Sequence, residues 1–100
     1  MNKQNAVVEF SITPVGAGGH ISQAVARCTQ IVRESGLENE LHAMGTILEG
    51  DLDDCLCVIH ECIGAVLEQA PRASTSVRID CGEGRSGIAG RVRSVEEKLP

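Results

Sequence analysis

Two segments most restrict what this sequence can fold into. Apolar and polar residues alternate in both, and one segment lies near each end of the chain. They cover residues 7–13 and 72–81. Because successive side chains of a β-strand point to opposite faces of a sheet, the alternation predicts one strand in each segment. The two strands share a polar face, formed by Glu9, Ser11, Thr13, Ser74, Ser76, Arg78 and Asp80.

Three further stretches have apolar residues at the spacing of an α-helix. The first covers residues 21–35, the second begins at Leu52 and ends near Ala70, and the third covers residues 88–99 after a turn at 82–87. Apolar side chains three and four positions apart form one stripe along a helix, so each stretch predicts an amphipathic helix. The charged residues of the third helix are expected to face water.

The segment between the first two helices, residues 40–51, has two short extended runs that meet near Met44 and Gly45. This pattern predicts a tight β-hairpin. The resulting order of elements is typical of an α+β, ferredoxin-like βαββαβ sandwich with an extra C-terminal helix. We expect one domain over residues 1–100, with a four-stranded antiparallel sheet whose two main helices cover one face and leave the other open.

The open face of this sheet is expected to carry the polar residues of the two outer segments together with Ile47 and Glu49 of the hairpin. Short hydroxyl side chains are more frequent there than the Lys and Glu that usually cover a solvated sheet. We therefore expect a second protomer or a ligand to pack on this face. A plain solvated face is the alternative interpretation.

The composition limits the size of the core. Hydrophobic residues make up 42% and charged residues 23% of the 100 residues, and Phe10 is the only aromatic residue. A small core of aliphatic residues and cysteine gives a small domain little stability, and self-association would add to it. We expect a homo-oligomer, a dimer or larger.

The net charge and the hydropathy pattern argue against two classes of partner. A net charge of −5 and the lack of aromatic residues for base stacking give no basis for binding nucleic acid. No apolar run reaches the roughly 18 residues of a membrane span, and the start MNKQNAVVEF lacks the layout of a signal peptide. We expect a cytoplasmic protein that does not bind membranes.

The chain has five cysteines, which are expected to be reduced thiols rather than a disulfide framework. Cys57 lies off the apolar helix stripes and is a candidate reactive thiol. It could share a cation with His60 and Glu61, but three ligands on one helix turn are a weak motif, so no metal or other cofactor is expected. The thiols expected to pack in the core are Cys28, Cys55 and Cys62.

Glycines in residues 16–22 precede a predicted helix N-terminus, where free backbone amides can receive an anion. The segment matches neither the Walker loop nor the dinucleotide fingerprint. A flexible turn is therefore the favoured interpretation of this segment.

The hairpin run from Met44 to Asp51 is a stronger candidate for a binding site. Thr46 supplies a hydroxyl and Glu49 a carboxylate, which we expect to lie close together and to suit a polar ligand with an amine. Loops often carry binding sites. The alternative is an ordinary hairpin in which both side chains are solvated.

Five short runs follow one another in the order found in a known family: Val8-Glu-Phe-Ser-Ile-Thr-Pro-Val-Gly16, Val25-Ala-x-Cys28, Glu34-Ser-Gly-Leu37, Met44-Gly-Thr-x-x-Glu-Gly50 and Val77-Arg-Ile-Asp80. Together they resemble the small thiamine-binding, YkoF-like family over nearly the whole chain. The run that begins at Met44 is the most specific of them.

This resemblance implies a ferredoxin-like fold and dimers whose sheets come together, often paired again as tetramers. It also implies binding of thiamine or its hydroxymethylpyrimidine part, and no catalysis. Ser11 and Asp80 of the open face are weaker candidates for ligand contact. The positions that the resemblance itself assigns to the ligand are Met44, Gly45, Thr46 and Glu49.

Three hypotheses for the function follow. The leading one is non-catalytic binding of thiamine or its pyrimidine part by a carrier, buffer or sensor in vitamin metabolism. The alternative is an oligomeric structural or regulatory protein whose open sheet face serves only for assembly. An enzyme comes third, because acid–base chemistry by Glu49 and His42 would require these two side chains to converge.

Overall fold

The computed structural model describes residues 5–16, 18–83 and 87–100. The strands and α-helices of these residues are β1 (Asn5–Val15), α1 (Ile21–Glu34), β2 (Glu38–His42), β3 (Gly45–Asp51), α2 (Leu52–Leu67), β4 (Arg72–Cys81) and α3 (Ile88–Glu96). The predicted ferredoxin-like βαββαβ order with an extra C-terminal helix is confirmed. Within the described ranges, no helix is both long and apolar enough to span a membrane.

The sheet has the strand order β2-β3-β1-β4, and every neighbouring pair of strands is antiparallel. Helices α1 and α2 pack against one face of it. Val8 and Phe10 point towards these helices and are 0% and 4% exposed, as the alternation predicts. The buried side chains between sheet and helices are Ala6, Val8, Phe10, Ile31, Val32, Leu48, Cys55, Val58, Ile59, Cys62 and Ala65.

Strand β1 continues beyond its predicted end, through Pro14 to Val15. Its pairing with β3 stops at Phe10, which pairs with Thr46, whereas its pairing with β4 continues to the end of the strand. Pro14 pairs with Ala73 and has a neighbouring strand on one side only. Because proline lacks the N–H that a second neighbour would require, it is tolerated at this position.

Strand β4 lies at the outer edge of the described sheet, with β1 as its neighbour. Val77 and Ile79 pair with Phe10 and Val8 and so share the face that the helices cover. They are nevertheless 42% and 44% exposed, because the helices do not extend over the outer edge of the sheet. An apolar strip therefore remains at the surface beside an unpaired strand edge.

Helix α3 covers part of the open sheet face, which corrects the expectation that this face is free. It begins over Glu49, which accepts a hydrogen bond from the Ile88 N–H, and Arg91 forms an ion pair with Asp80. The helix ends at Glu96 and has no buried residue. It is therefore attached to the sheet through polar contacts that include these two, and not through a buried apolar side chain.

The remaining boundaries lie close to the predicted ones. Helix α1 begins at the predicted Ile21, and α2 ends at Leu67 rather than near Ala70. Residues 84–86 of the predicted turn and Ala17 of the glycine-rich segment lie outside the described residues.

Gly45 is required by the close approach of β3 to β1. Its φ is +156°, and a Cβ at this position would lie 2.5 Å from the backbone oxygen of Phe10. We expect Gly45→Ala to lower the free energy of unfolding by roughly 1–3 kcal/mol, because the backbone of one strand must move. Urea unfolding followed by circular dichroism measures the change.

Gly64 provides the matched control for this substitution. It lies in the exposed part of α2, and a Cβ there meets no atom within 4 Å. Gly64→Ala is expected to raise the free energy of unfolding by about 0.5–1 kcal/mol, the difference in helix propensity between the two residues. Equal stability of the two variants would contradict the steric role of Gly45.

Candidate functional site

A cavity lies where the sheet narrows to two strands. The β2–β3 hairpin ends beside Phe10, while β1 and β4 continue past it. Residues 11–13 of β1 therefore have no strand partner on the hairpin side, and this free edge lines a cavity of about 280 Å³. Small-molecule pockets begin at roughly 300 Å³. The cavity lies just below this size, which is enough for a single small ring.

The walls of this cavity are mainly apolar and carry a few hydroxyl groups. Phe10 and Val66 line it from the core, and residues 41–46 of the hairpin close one side. The hydroxyl of Thr29 donates to the Val25 carbonyl oxygen at 3.0 Å and keeps its acceptor capacity. The residues that α1 contributes are Val25, Cys28, Thr29 and Val32.

A second, smaller compartment of about 130 Å³ adjoins the cavity on the open face. The two volumes share Phe10, Ser11 and Met44, and the smaller one adds the charged side chains of Glu9 and Arg78. The Met44 side chain is 82% exposed at the boundary between them. Because methionine is flexible, Met44 can move to admit a ligand that occupies both volumes.

His42 lies in the cavity wall next to Glu9. Its Nδ1 atom accepts a hydrogen bond from the Met44 N–H at 3.2 Å, so the proton of the neutral ring is on Nε2. Nε2 is 3.3 Å from Glu9 Oε2 but is not aligned for a hydrogen bond. Among the described residues this buried N–H has no other partner. A ligand acceptor that reached it would remove the free-energy cost of an unpaired polar group.

The structure brings some of the predicted ligand residues to this cavity and leaves others elsewhere. Those that line it are Ser11, Met44, Gly45 and Thr46. The expected proximity of Thr46 and Glu49 is wrong. Thr46 pairs with Phe10 on the helix side of the sheet, whereas Glu49 pairs with Val7 on the open face. Side chains alternate along a strand, so residues three positions apart point to opposite faces.

Glu49 and Asp80 instead fix α3 to the sheet. The Ile88 N–H donates a hydrogen bond of 2.8 Å to Glu49 Oε1. A carboxylate at this end of a helix satisfies a free amide and interacts favourably with the helix dipole. Gly87 leaves room for it, because a Cβ there would collide with the Glu49 carboxylate. Asp80 Oδ2 lies 2.7 Å from Arg91 Nη2.

Two other candidate sites, an acid–base pair and a cation site, are not formed. His42 and Glu49 both face the open side, but Gly45, the β3 partner of His42, lies four residues before Glu49, about 13 Å along the strand at roughly 3.3 Å per residue. In the part of the chain that the structure describes, no three His, Cys, Asp or Glu side chains could hold a metal ion. The alternative cation site of Cys57, His60 and Glu61 is therefore not formed.

Sequence reasoning missed several residues of the cavity. Phe10 was expected to point into the core, and it does, but one side of it also borders the cavity. Cys28 and Thr29 belong to the apolar side of α1 and gave no separate signal. They reach the cavity only because the hairpin ends beside them. The mismatch between a long β1 and a short β3 is the one signal that could have indicated this site.

The fold and this cavity define a small ferredoxin-like protein with a ligand-sized cavity beside the free edge of its central strand. The chain belongs to the thiamine-binding protein family, whose pattern matches residues 8–96. The resemblance noted in the sequence is thereby confirmed.

Relatives of this chain extend over nearly its full length. A UPF0045 protein of Mycobacterium bovis is 34% identical over 97 residues, which are 95% of each chain. The crystal structure of a hypothetical protein from Methanocaldococcus jannaschii superimposes with a TM-score of 0.85 at 33% identity, covering 93% of this chain and 97% of that one. A Thermotoga maritima protein, proposed to act in thiamine biosynthesis or salvage, shares the fold with a TM-score of 0.80 at 19% identity, covering 91% of this chain and 98% of that one.

The contact between Glu49 and α3 can be tested directly. We expect Glu49→Ala to weaken the docking of α3 by roughly 1 kcal/mol, the usual value of a helix cap, which corresponds to about fivefold faster hydrogen exchange at the Ile88 amide. Amide exchange measured by NMR detects the change.

Glu49→Gln is the matched control, because its side-chain oxygen can still accept the hydrogen bond. It is expected to preserve most of the protection at Ile88. If Glu49→Ala left the exchange rate of Ile88 unchanged, the role of Glu49 in holding α3 would be refuted.

Proposed function

We propose that the chain binds thiamine, or its hydroxymethylpyrimidine part, in the cavity beside β1 without transforming it. In this role it is a carrier, buffer or sensor in vitamin metabolism. Membership of the thiamine-binding protein family supports the proposal. The observation that carries it is the free edge of residues 11–13, which lines the cavity near Thr46 and His42.

The free strand edge suits the pyrimidine ring. An aminopyrimidine is flat, with apolar faces and with hydrogen-bond donors and acceptors along its edge. An unpaired strand offers backbone N–H and C=O groups in one line. The hydroxyls of Ser11 and Thr46 can both donate and accept. Phe10 and Val32 supply apolar contacts for the faces of the ring.

The adjoining compartment suits the second ring of thiamine, which is a thiazolium cation. Glu9 supplies a carboxylate that attracts a cation, and the Met44 thioether can pack against the ring. Arg78 lines the same compartment and opposes this attraction. Comparing thiamine with hydroxymethylpyrimidine therefore measures the net contribution of the compartment to affinity.

The proposed ligand contacts are Ser11, Met44, Gly45 and Thr46. Glu49 and Asp80 act at a distance, by holding α3 on the sheet. We assign no catalytic residue, because Glu49 and His42 do not converge. Five free thiols suit a reducing compartment, which supports the proposal of a cytoplasmic protein. We also propose that the 100 residues fold as one domain.

The binding site is tested by isothermal titration calorimetry with thiamine and with hydroxymethylpyrimidine. The parent protein is expected to bind at least one of them in a saturable way. Thr46→Val and Ser11→Ala each remove one hydroxyl and are expected to weaken binding roughly 2- to 10-fold, the value of one hydrogen bond.

Glu49→Gln is the control for these variants, because it changes a polar side chain outside the cavity lining and is expected to bind with parental affinity. A loss in Glu49→Gln as large as that in Thr46→Val would place the ligand elsewhere. If the parent bound neither compound, the ligand proposal would fail and the assembly-only alternative would take its place.

We also propose that protomers associate through the outer edge of β4, as a dimer or as a dimer within a tetramer. Val77 and Ile79 are exposed beside this edge, and α2, which contacts β4, exposes Leu56 and Leu67 by 40% and 50%. Pairing two β4 strands would satisfy their free backbone groups and bury apolar surface. Because α3 occupies part of the open face, the β4 edge is the better-supported assembly surface.

Light scattering coupled to size-exclusion chromatography tests this assembly. We expect the parent protein to elute as an oligomer and Ile79→Lys to shift it towards the monomer, because the charge would be buried in the interface. Val95→Lys changes an equally apolar residue of α3, 62% exposed, and is expected to leave the mass unchanged. A monomeric parent, or dissociation by Val95→Lys alone, would contradict the proposed interface.

A further inference from the structure

Two thiols face each other where α1 crosses α2. Cys28 of α1 and Cys62 of α2 make reciprocal contacts: Cys28 Sγ lies 3.5 Å from the Cys62 carbonyl oxygen, and Cys62 Sγ lies 3.6 Å from the Cys28 carbonyl oxygen. Each sulfur therefore reaches the backbone of the other residue. A disulfide requires Cα atoms within about 7 Å of each other, and these reciprocal contacts place the two residues directly opposite each other at the crossing.

The two thiols differ in their access to solvent. Cys62 is 0% exposed, whereas Cys28 is partly exposed and lines the cavity beside β1. A small reagent can therefore reach Cys28 through the cavity, whereas Cys62 is buried and does not line it. This is the arrangement of a reacting thiol with a resolving thiol behind it.

The ionisation of the two thiols follows the same order. A hydrogen bond between the two thiol side chains lowers the pKa of Cys28 below its ordinary value; burial opposes this shift and the charge of Arg27 adds to it. The same hydrogen bond, together with burial, raises the pKa of Cys62. Burial raises the pKa of Cys55 to about 11, so that thiol is inert. Cys28 is the better nucleophile of the pair.

We propose that Cys28 and Cys62 form a redox-active dithiol, in which Cys28 reacts with a peroxide that enters through the cavity and Cys62 resolves the product to an intramolecular disulfide. No ligand in the cavity is required for this reaction. Disulfides of reducing compartments are usually transient and redox-sensing, and a pair between two helices that wall a cavity fits that role.

The reaction balances with one peroxide for each disulfide. The Cys28 thiolate attacks one peroxide oxygen, the O–O bond breaks, and the leaving hydroxide takes up the thiol's proton to give water. Cys62 then attacks the sulfenic sulfur of Cys28, the S–O bond breaks, and the proton of Cys62 leaves with the hydroxide as a second water. Two thiols are oxidised by two electrons, and hydrogen peroxide is reduced to two waters.

The test uses the full chain with Cys57→Ser and Cys81→Ser, because these two exposed thiols could form bonds between molecules. The protein is reduced, freed of reductant and treated with hydrogen peroxide. We expect a mass loss of ~2 Da, the two thiol hydrogens, and a Cys28–Cys62 peptide in a proteolytic digest. Dithiothreitol is expected to reverse both changes, and the protein should not form covalent dimers.

Three further substitutions in this background separate the roles of the thiols. Cys28→Ser is expected to leave Cys62 reduced. Cys62→Ser is expected to stop the reaction at a sulfenic acid on Cys28, which dimedone traps. Cys55→Ser is the control that should still form the disulfide, because Cys55 takes no part in the contacts that join Cys28 and Cys62.

The peptide map of the background protein decides the proposal even if Cys62→Ser fails to fold. If Cys28 and Cys62 both kept free thiols while peroxide oxidised other side chains, the dithiol would be refuted. It would equally be refuted if Cys28 were oxidised to a sulfinic acid while Cys62 stayed reduced, because Cys62 would then not act as the resolving thiol.

Discussion

The pairing of β1 with its two neighbours ends at different residues, and most of the functional geometry depends on this difference. On one side the pairing with β3 stops at Phe10, and on the other the pairing with β4 continues to Val15. The free edge that results lines the cavity and exposes Cys28 of α1. Gly45 sets the end of the shorter pairing, because only glycine allows β3 to begin so close to the Phe10 carbonyl.

The two ends of the sheet carry polar residues with different tasks. At the hairpin end, hydroxyls and His42 surround a largely apolar volume that suits a small ring. At the other end, Glu49 and Asp80 bind α3 through one hydrogen bond and one ion pair. Contacts of this kind at the surface are weak, so α3 is held to the sheet less firmly than α1 and α2, which bury apolar side chains.

Periodicity was sufficient to predict the order of the elements and the side of β1 that is buried, because these depend on local spacing alone. Sequence reasoning also brought Met44, Gly45 and Thr46 forward as candidates through the hairpin run and the family resemblance, and Ser11 from the expected open face. It misplaced Glu49, because closeness in sequence was taken for closeness in space although the two side chains point to opposite faces. It missed Phe10 and Thr29 as cavity residues, since their spacing is that of ordinary core residues.

The sequence by itself determined the βαββαβ fold, the hairpin at Met44 and Gly45, and the membership of the thiamine-binding family. Only the tertiary structure decided where β3 stops against β1 and which helix residues the cavity reaches. It also decided that Cys28 meets Cys62 and that α3 returns to the open face. The physical reason is that spacing along a chain sets only the direction of each side chain within its own strand or helix. Contacts between elements depend on strand register and on where the helices cross, and these are fixed by packing of the whole core.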